Sequence, residues 1–369
     1  MLHHRKWIQF YLGLCLVLSA CGTVPGPVAT PSPLAPSSGD LTPIDLQSGF
    51  GVRGPWFELY FTDPASPLSP QATGGVDGPI VDSIRAARLS IDVAIYSISL
   101  NSIRYALIDA HKRGVQVRMV MESTNMDRSD PQALLAAGIP IVGDEMPGLM
   151  HNKFIVIDKS EVWLGSMNYT DSGAYDDNNN MIHIKSTKMA EDYLTEFNEM
   201  FVQHKFGPNV ARNTPNPTVT LDGTRIDVYF SPDDGVLNAL VPLLQNARSS
   251  IYFLTFSFTS NELGEIVRQQ AQNGLDIEGV MDQDQIISNQ GTEYDPFKQA
   301  NLDVSVDGNL GLMHHKVFII DQQIVVFGSY NFSQSAELRN DENLIVVYNP
   351  AIAAQFVQEF RRVQSQAQP

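Results

Sequence analysis

The chain has 369 residues, of which 43% are hydrophobic and 18% are charged, and its formal net charge at pH 7 is −17. An acidic surface disfavours binding to a polyanion such as DNA, because phosphate recognition depends on Lys and Arg. The two cysteines, Cys15 and Cys21, are too few for a disulfide framework.

Residues 1–20 have the pattern of a secretory signal peptide: a charged start with Arg5 and Lys6, then a mostly apolar run. This run is too short to predict a membrane-spanning helix. The stretch Leu18-Ser19-Ala20-Cys21 resembles a bacterial lipobox, so we expect Cys21 to carry lipid. An ordinary signal peptide with an incidental Cys21 is the alternative. We therefore expect an extracytoplasmic protein, lipid-anchored at the outer membrane or the cell surface.

Residues 21–54 are rich in Pro, Ser, Thr and Gly and lack apolar periodicity. This composition predicts a flexible tether that holds a soluble domain away from a membrane.

From residue 55 onward, predicted strands and helices alternate in two similar halves, 55–206 and 223–369, joined by a Pro- and Asn-rich linker at 207–222. The paired strands are Trp56–Phe61 with Arg225–Phe230, Ser90–Ser97 with Ser250–Ser257, and Val115–Met121 with Leu275–Met281. The predicted helices include 101–112, 188–203, 261–272 and 350–364. This alternation predicts an α/β fold. We expect each half to be a mixed sheet flanked by helices, packed about a pseudo-two-fold axis.

One chemical motif occurs in both halves, displaced by 163 residues (314 − 151). The repeated residues are His151, Lys153, Asp158, Ser166 and Asn168 in the first half, and His314, Lys316, Asp321, Ser329 and Asn331 in the second. Residues two apart in a strand share a face, so each His lies beside its Lys. Asp, seven residues after His, is predicted to point to the other face as an anchor. A hairpin would bring Ser and Asn back as hydrogen-bond donors to an anion.

These two motifs resemble those of the phospholipase D superfamily, the His-Lys-Asp phosphodiesterases, and the resemblance covers the chain after about residue 55. It implies catalysis by His151, Lys153, Asp158, His314, Lys316 and Asp321, with one His forming a phosphohistidine and the other protonating the leaving oxygen. Ser166, Asn168, Ser329 and Asn331 would bind or support the substrate phosphate. Neither a metal nor any other cofactor is implied. A metal site at His314-His315 is disfavoured because Lys316 places a cation there.

The copies differ 28 residues after each His, where Asn179 follows His151 and Glu342 follows His314. We expect Glu342 to pair locally with His314 and make it the stronger base, although Asp176 or Asp177 could supply a carboxylate to the first half. The family resemblance favours His151 as nucleophile and His314 as acid.

The leading hypothesis is a monomeric phosphodiesterase that hydrolyses phospholipid. Gly148-Leu149-Met150 and Gly311-Leu312-Met313 lead into each His and would form an apolar lip, although core packing also explains them. A metal-independent endonuclease of the same fold, a phosphatidyl transferase and a silent phosphate-binding module are the alternatives.

Overall fold

The computed structural model describes residues 41–367 as two β-sheets with helices packed on them. The predicted signal peptide, Cys21 and the tether up to residue 40 lie outside the described residues. The predicted α/β class with two similar halves is confirmed.

The first half contains a nine-stranded mixed sheet in the order β1-β2-β3-β9-β8-β7-β4-β5-β6. Its strands are β1 Thr42–Asp45, β2 Phe50–Arg53, β3 Phe57–Phe61, β4 Ser90–Ile95, β5 Gln116–Met121, β6 Ile141–Gly143, β7 Lys153–Ile157, β8 Glu161–Gly165 and β9 Asn180–Lys185. Strands β4, β5 and β6 run parallel, and β7 runs antiparallel to β4.

The second half contains an eight-stranded sheet in the order β10-β11-β17-β16-β15-β12-β13-β14. Its strands are β10 Thr218–Leu221, β11 Thr224–Ser231, β12 Ser250–Thr255, β13 Asp276–Met281, β14 Asp303–Val306, β15 Lys316–Ile320, β16 Ile324–Gly328 and β17 Glu342–Tyr348. Strand β12 pairs parallel with β13 and antiparallel with β15, which repeats the first half.

Two predicted boundaries need correction. Residues 42–53, predicted as the end of the tether, form the hairpin β1–β2, which pairs with β3 and extends the first sheet. Strand β10 lies inside the predicted linker and pairs with β11. Strands β1 and β10 are edge strands of only four residues. Pairing with the neighbouring strand fixes the backbone of such a short segment, and Pro43 weakens the local signal for a strand in β1.

The helices cover both sheets, and the four predicted at 101–112, 188–203, 261–272 and 350–364 are found to within two residues. They are α1 Asp77–Ala86, α2 Asn101–Lys112, α3 Ser129–Ala136, α4 Asp171–Tyr175, α5 Thr187–Gln203, α6 Val236–Gln245, α7 Asn261–Gln272, α8 Gln283–Ser288, α9 Tyr294–Gln299, α10 Gln334–Leu338 and α11 Pro350–Gln366. In the described range, no helix combines the length and the apolar composition needed to cross a bilayer.

The long helices α5 and α11 join the two halves. Tyr193 of α5 packs edge-on against Phe230 of the second sheet, with ring centroids 5.0 Å apart. Phe356 of α11 makes the equivalent contact with Phe61 of the first sheet, at 5.1 Å. All four rings are buried in one hydrophobic core that includes residues of both halves. Burial of each such ring contributes about 1.5–3 kcal/mol, so the two halves form one structural unit.

Candidate active site

The two His-Lys pairs lie at the same edge of their sheets, where the parallel strands end. Lys153 begins β7 and pairs with Ile95, the last residue of β4. Lys316 begins β15 and pairs with Thr255, the last residue of β12. Each His precedes its Lys by two residues and is buried, as is each Lys.

Backbone hydrogen bonds between the halves connect these two edges. The amide of His151 donates to the carbonyl of Asp341 at 2.9 Å, and the amide of Asp341 donates to the carbonyl of Leu149 at 2.9 Å. In the equivalent contact, the amide of His314 donates to the carbonyl of Asn178 at 2.9 Å. Each catalytic segment is therefore paired with the other half, so the two halves build one centre.

The partner of each imidazole also comes from the opposite half, which corrects the predicted local pairing. His151 Nδ1 lies 2.7 Å from Glu342 Oε2, and His314 Nδ1 lies 2.9 Å from Asn179 Oδ1. The local prediction was wrong because β9 and β17 each begin beside the His segment of the other half. The carboxylate therefore belongs to His151, and the amide belongs to His314.

Neighbouring bonds assign the tautomer of His314. Asn179 Nδ2 donates to the carbonyl of Gly173 at 2.9 Å, which turns Oδ1 toward the imidazole. Ser166 Oγ donates to the same Oδ1 at 2.8 Å. Because this oxygen can only accept, His314 Nδ1 carries the proton, and the same reasoning applies to His151 beside Glu342. Within residues 41–367, neither Nε2 has a protein hydrogen-bond partner.

Burial lowers the pKa values of both histidines and both lysines, and nearby like charges add to this effect for all but Lys153. Burial lowers the pKa of His151, as do Lys153 and Lys316, while Glu342 opposes the shift. The pKa of His314 is lowered further, by burial and then by Lys316, Lys153 and His151. Burial also lowers the pKa of Lys153, to about 7, and that of Lys316 is lowered by burial and by Lys153. A bound phosphate would favour the charged form of all four groups.

Each Lys is held by a backbone acceptor and an aromatic ring. Lys153 Nζ donates to the carbonyl of His151 at 2.8 Å, and Lys316 Nζ donates to that of His314 at 2.7 Å. The two Nζ atoms lie 5.4 Å and 4.6 Å from the ring centroids of Tyr96 and Phe256.

Sequence reasoning missed these two aromatic residues. The ring of Tyr96 contacts His151 edge-on at 5.1 Å, and the ring of Phe256 contacts His314 at 4.7 Å. Each ring follows the last residue of its strand, β4 or β12, at equivalent positions of the repeat. That shared position was the signal that could have identified them.

The repeated Ser and Asn residues differ in their surroundings. Ser166 Oγ and Ser329 Oγ accept from the amides of Asn180 and Asn343, both at 3.0 Å, so these hydroxyls hold the starts of β9 and β17. Support, rather than contact with the phosphate, is therefore the interaction that the structure displays for both serines.

Asn168 and Asn331 each have one buried side-chain atom without a hydrogen-bond partner among the described residues, the carbonyl oxygen Oδ1. A carbonyl oxygen cannot donate to a phosphate, so phosphate binding by Asn168 or Asn331 would require Nδ2, and this role stays a prediction.

The aspartates of the two motifs lie away from this centre, in the turns at the other ends of β7 and β15. Asp158 accepts from the backbone amides of Arg88, Leu89 and Ser90 at 2.7–3.1 Å. Asp321 makes the same contacts in the second half. Asp158 has a positive φ of 51°, so it belongs to the turn rather than to the far face of a regular strand. Both aspartates are structural anchors in this geometry.

His315, the neighbour of His314, has both ring nitrogens occupied elsewhere. Asn180 Nδ2 donates to its Nδ1 at 2.8 Å, and its Nε2 lies 2.9 Å from Glu359 Oε1. Arg362 donates to the same carboxylate and, across the junction, to Asn178 Oδ1 at 2.7 Å. His315 therefore stabilises the junction between the halves, and neither of its ring nitrogens is available to a ligand. Within the described residues, no cluster of three or more His, Cys, Asp or Glu side chains has the arrangement of a metal site.

Comparisons with known proteins agree with this repeated geometry. The family model described as "Cardiolipin synthase, PLD-like domain" matches residues 80–201 and 240–364. A phospholipase D of Rickettsia bellii is 39% identical over 117 residues, which cover 31% of this chain and 58% of that protein. A mitochondrial cardiolipin hydrolase of Mus musculus is 32% identical over 133 residues, 36% of this chain and 60% of that protein. The matches thus span less than two thirds of these relatives.

A solved structure shares the fold over most of the chain. The phosphatidylserine synthase of Haemophilus influenzae superposes with a TM-score of 0.63 at 14% identity, covering 79% of this chain and 84% of that protein. At this identity the likeness concerns the fold alone.

Proposed function

The chain belongs to the phospholipase D superfamily, and on this basis we propose that it hydrolyses the phosphodiester bond of phospholipids, releasing phosphatidic acid through a phosphohistidine intermediate. The observation that carries the proposal is the unequal pair of imidazoles. His151 is bonded to a carboxylate and His314 to an amide, and the Nε2 atoms of both are free to react.

In the first step, His151 Nε2 attacks phosphorus while the bond from phosphorus to the leaving oxygen breaks. Glu342 holds the Nδ1 proton and stabilises the positive charge that develops on the ring. His314, protonated in the presence of the anionic substrate, gives its Nε2 proton to the leaving oxygen. The buried Lys153 and Lys316 stabilise the charge on the non-bridging oxygens.

In the second step, His314 accepts a proton from water, and the resulting hydroxide attacks phosphorus. The phosphorus–nitrogen bond breaks, its electron pair returns to His151, and phosphatidic acid leaves. An amide partner suits His314 for this role, because its proton must be released and then recovered in each cycle.

A nuclease and a phosphatidyl transferase use the same chemistry with other substrates. The net charge of −17 disfavours a long polyanion. A transferase differs only in admitting an alcohol in place of water, and the shared fold of the phosphatidylserine synthase does not favour one acceptor.

The test exposes the purified protein to phosphatidylcholine vesicles and to plasmid DNA, with EDTA present throughout. We expect phosphatidic acid to form despite the EDTA, because Lys153 and Lys316 supply the charge that a metal would otherwise supply. We expect the plasmid to remain intact. Cleavage of the plasmid alone would make the protein a nuclease. Loss of hydrolysis in EDTA, restored by zinc or magnesium, would contradict the mechanism.

We also propose that lipid on Cys21 holds the enzyme at the outer membrane or cell surface, facing away from the cytoplasm. The lipobox-like stretch Leu18-Ser19-Ala20-Cys21 supports this location. Cys21→Ser should release the protein from the membrane fraction or stop its processing. Unchanged fractionation with normal processing would exclude the anchor.

A further inference from the structure

Two loops flank the active site at equivalent positions of the repeat. Residues 144–149 connect β6 to the His151 segment, and residues 307–312 connect β14 to the His314 segment. We call these segments the rim loops.

The strand register places both rim loops at the active-site edge. Gly143, the last residue of β6, is in register with Met121, which is in register with Ile95, the partner of Lys153. Val306, at the end of β14, is aligned with Lys316 through the equivalent residues of β13 and β12. Both rim loops thus leave the sheets at the row that carries the catalytic lysines.

Each rim loop is docked firmly against the other half of the protein. A Cβ atom on Gly148 would lie 2.1 Å from the carbonyl oxygen of Arg339, and one on Gly311 would lie 2.1 Å from that of Asp176. Only glycine permits such close approach of two backbones. These contacts hold the backbone of both loops in place, so the side chains at the loop tips stay at the surface of the protein.

These fixed tips are apolar and exposed. Leu310 is fully exposed and Leu149 is 38% exposed, whereas the neighbouring Met150 and Met313 are buried in the core. Of the apolar lip predicted from sequence, Met150 and Met313 belong to the core, Leu149 faces solvent and Leu312 is half-buried. Leu310 lies two residues before Leu312 and was not part of that prediction. Leu310 also borders a cavity of about 640 Å³ that Pro64 and Pro70 help to line.

The charge of the rim loops identifies the kind of surface they fit. Neither loop contains Lys or Arg, and the exposed acidic residue of the first loop is Glu145. Asp144 and Asp307 are buried, and they accept from the amides of Ser123 and Gln283. With a net charge of −17, the protein has no general attraction to anionic lipid or nucleic acid. An apolar tip without basic residues suits a neutral surface with accessible acyl chains.

We propose that the rim loops dock the enzyme on a zwitterionic phospholipid bilayer, with Leu310 and Leu149 entering the lipid on either side of the active site. This inference rests on the proposed phospholipid substrate, whose phosphate lies at the interface that the leucines would penetrate. The phosphate of a lipid could then reach the active site while its acyl chains remain in the bilayer.

The position of the N-terminus is compatible with docking on the membrane that would hold the anchor. Strand β1 begins at Thr42, which pairs with Arg53 at the sheet edge opposite the active site. The longest strands of the first sheet have six residues and cover about 20 Å. The 20 residues from Cys21 to Leu41 (41 − 21) can span at most about 70 Å. An anchored chain is thus long enough for the rim loops to face the same bilayer.

The first experiment places a tryptophan at the loop tip in the full chain. Leu310→Trp and Leu89→Trp are compared on phosphatidylcholine vesicles carrying brominated acyl chains, which quench tryptophan in contact with them. Leu89 is the matched control, since it is an exposed leucine (66%) beside Ser90, at the opposite sheet edge. We expect quenching above the wild-type background for Leu310→Trp alone. Equal quenching of both variants, or quenching of neither, would overturn the proposal.

The second experiment compares Leu310→Asp with Leu89→Asp. We expect Leu310→Asp to lower the ratio of vesicle hydrolysis to hydrolysis of a soluble nitrophenyl phosphodiester by about tenfold, because a charge replaces an inserted apolar group. Leu89→Asp should leave this ratio at the wild-type value. An unchanged ratio for Leu310→Asp would contradict the docking.

The two proposals fail in different ways. Quenching of Leu310→Trp by vesicles that the wild-type enzyme does not hydrolyse supports the docking and contradicts the phospholipase function. Hydrolysis of vesicles without that quenching supports the function and overturns the docking.

Discussion

His151 and Glu342, which are 191 residues apart in sequence, form a direct contact, with Nδ1 of the imidazole 2.7 Å from Oε2 of the carboxylate. The histidine belongs to the first half and the carboxylate to the second. Because the equivalent contact of His314 is to the amide of Asn179, the two imidazoles differ in the charge of their partners. In the proposed mechanism, this difference is the reason that His151 acts as nucleophile and His314 as acid.

The first prediction concerns the nucleophile. His314→Ala should still release a burst of nitrophenol from a nitrophenyl phosphodiester, because such a leaving group needs little help from an acid. Phosphorus label should then be trapped on a peptide containing His151. Label on His314 in the His151→Ala protein, with none in the His314→Ala protein, would reverse the assignment.

The second prediction concerns the charge of Glu342. Burial lowers the pKa of His151 and Glu342 opposes this effect, so Glu342→Gln should lower that pKa further. Since His151 reacts when neutral, the acid limb of the burst rate against pH should move to lower pH. The rate itself should fall about tenfold or more, because a charge-assisted hydrogen bond contributes about 1.5–3 kcal/mol. An acid limb that stays in place would mean that Glu342 only positions the ring.

The third prediction concerns the shared centre. Lys153→Ala and Lys316→Ala should each reduce hydrolysis about a hundredfold, because loss of transition-state charge stabilisation costs about 3 kcal/mol. Lys159→Ala, a lysine in the turn after Ile157, is the control and should retain activity. Two independent sites would instead leave roughly half of the activity in either catalytic variant.

The fourth prediction separates anchor from catalyst. Burial alone would raise the pKa of Asp321, but hydrogen bonds from the backbone amides of Ser249, Arg248 and Ser250 lower this pKa overall. Its stabilising effect is therefore present above the unfolded pKa and is lost as pH falls through the lower folded pKa. Asp321→Asn should reduce the free energy of unfolding at pH 7 by about 1 kcal/mol, since solvent screens a carboxylate that is partly exposed, measured by urea denaturation. The activity of the folded variant should remain near that of wild type, and a large catalytic defect in stable protein would contradict the anchor role.

The fifth prediction concerns His183, a buried imidazole on β9 of the first sheet. Burial lowers its pKa, but hydrogen bonds to Glu161 and Glu58 outweigh this effect and raise it overall. Its contribution to stability is thus complete below the unfolded pKa and disappears as pH rises through the folded pKa. The difference in Tm between wild type and His183→Gln should shrink as pH rises from about 6 to about 9.

Fluorescence provides a second measurement of this titration. The ring of His183 stacks on Trp163, with centroids 4.6 Å apart and planes 4° from parallel. Emission from Trp163 should therefore change over the same pH range in which the Tm difference shrinks. A Tm difference independent of pH would show that the imidazole does not change its charge there.

The fold class and the His-Lys motifs could be predicted from sequence because they depend on neighbouring residues and occur in both halves. The His-x-Lys spacing, the apolar runs of β7 and β15 and the glycine that follows α2 or α7 each reflect a physical preference of neighbouring residues. Because the His-x-Lys motif occurs in both halves, its spacing could be distinguished from a chance match. Even the anchoring role of Asp158 could be inferred, although the turn that produces it could not.

The tertiary structure alone decided which residues from different halves meet. Glu342 is close in sequence to His314, and local reasoning paired them, but the start of β17 lies beside His151 instead. Tyr96 and Phe256 likewise became site residues only when β4 and β12 placed their ends next to the lysines. Packing of α5 and α11 across the junction fixes these long-range contacts. No spacing along the chain encodes such a contact, because it depends on how the two sheets bury their apolar faces together.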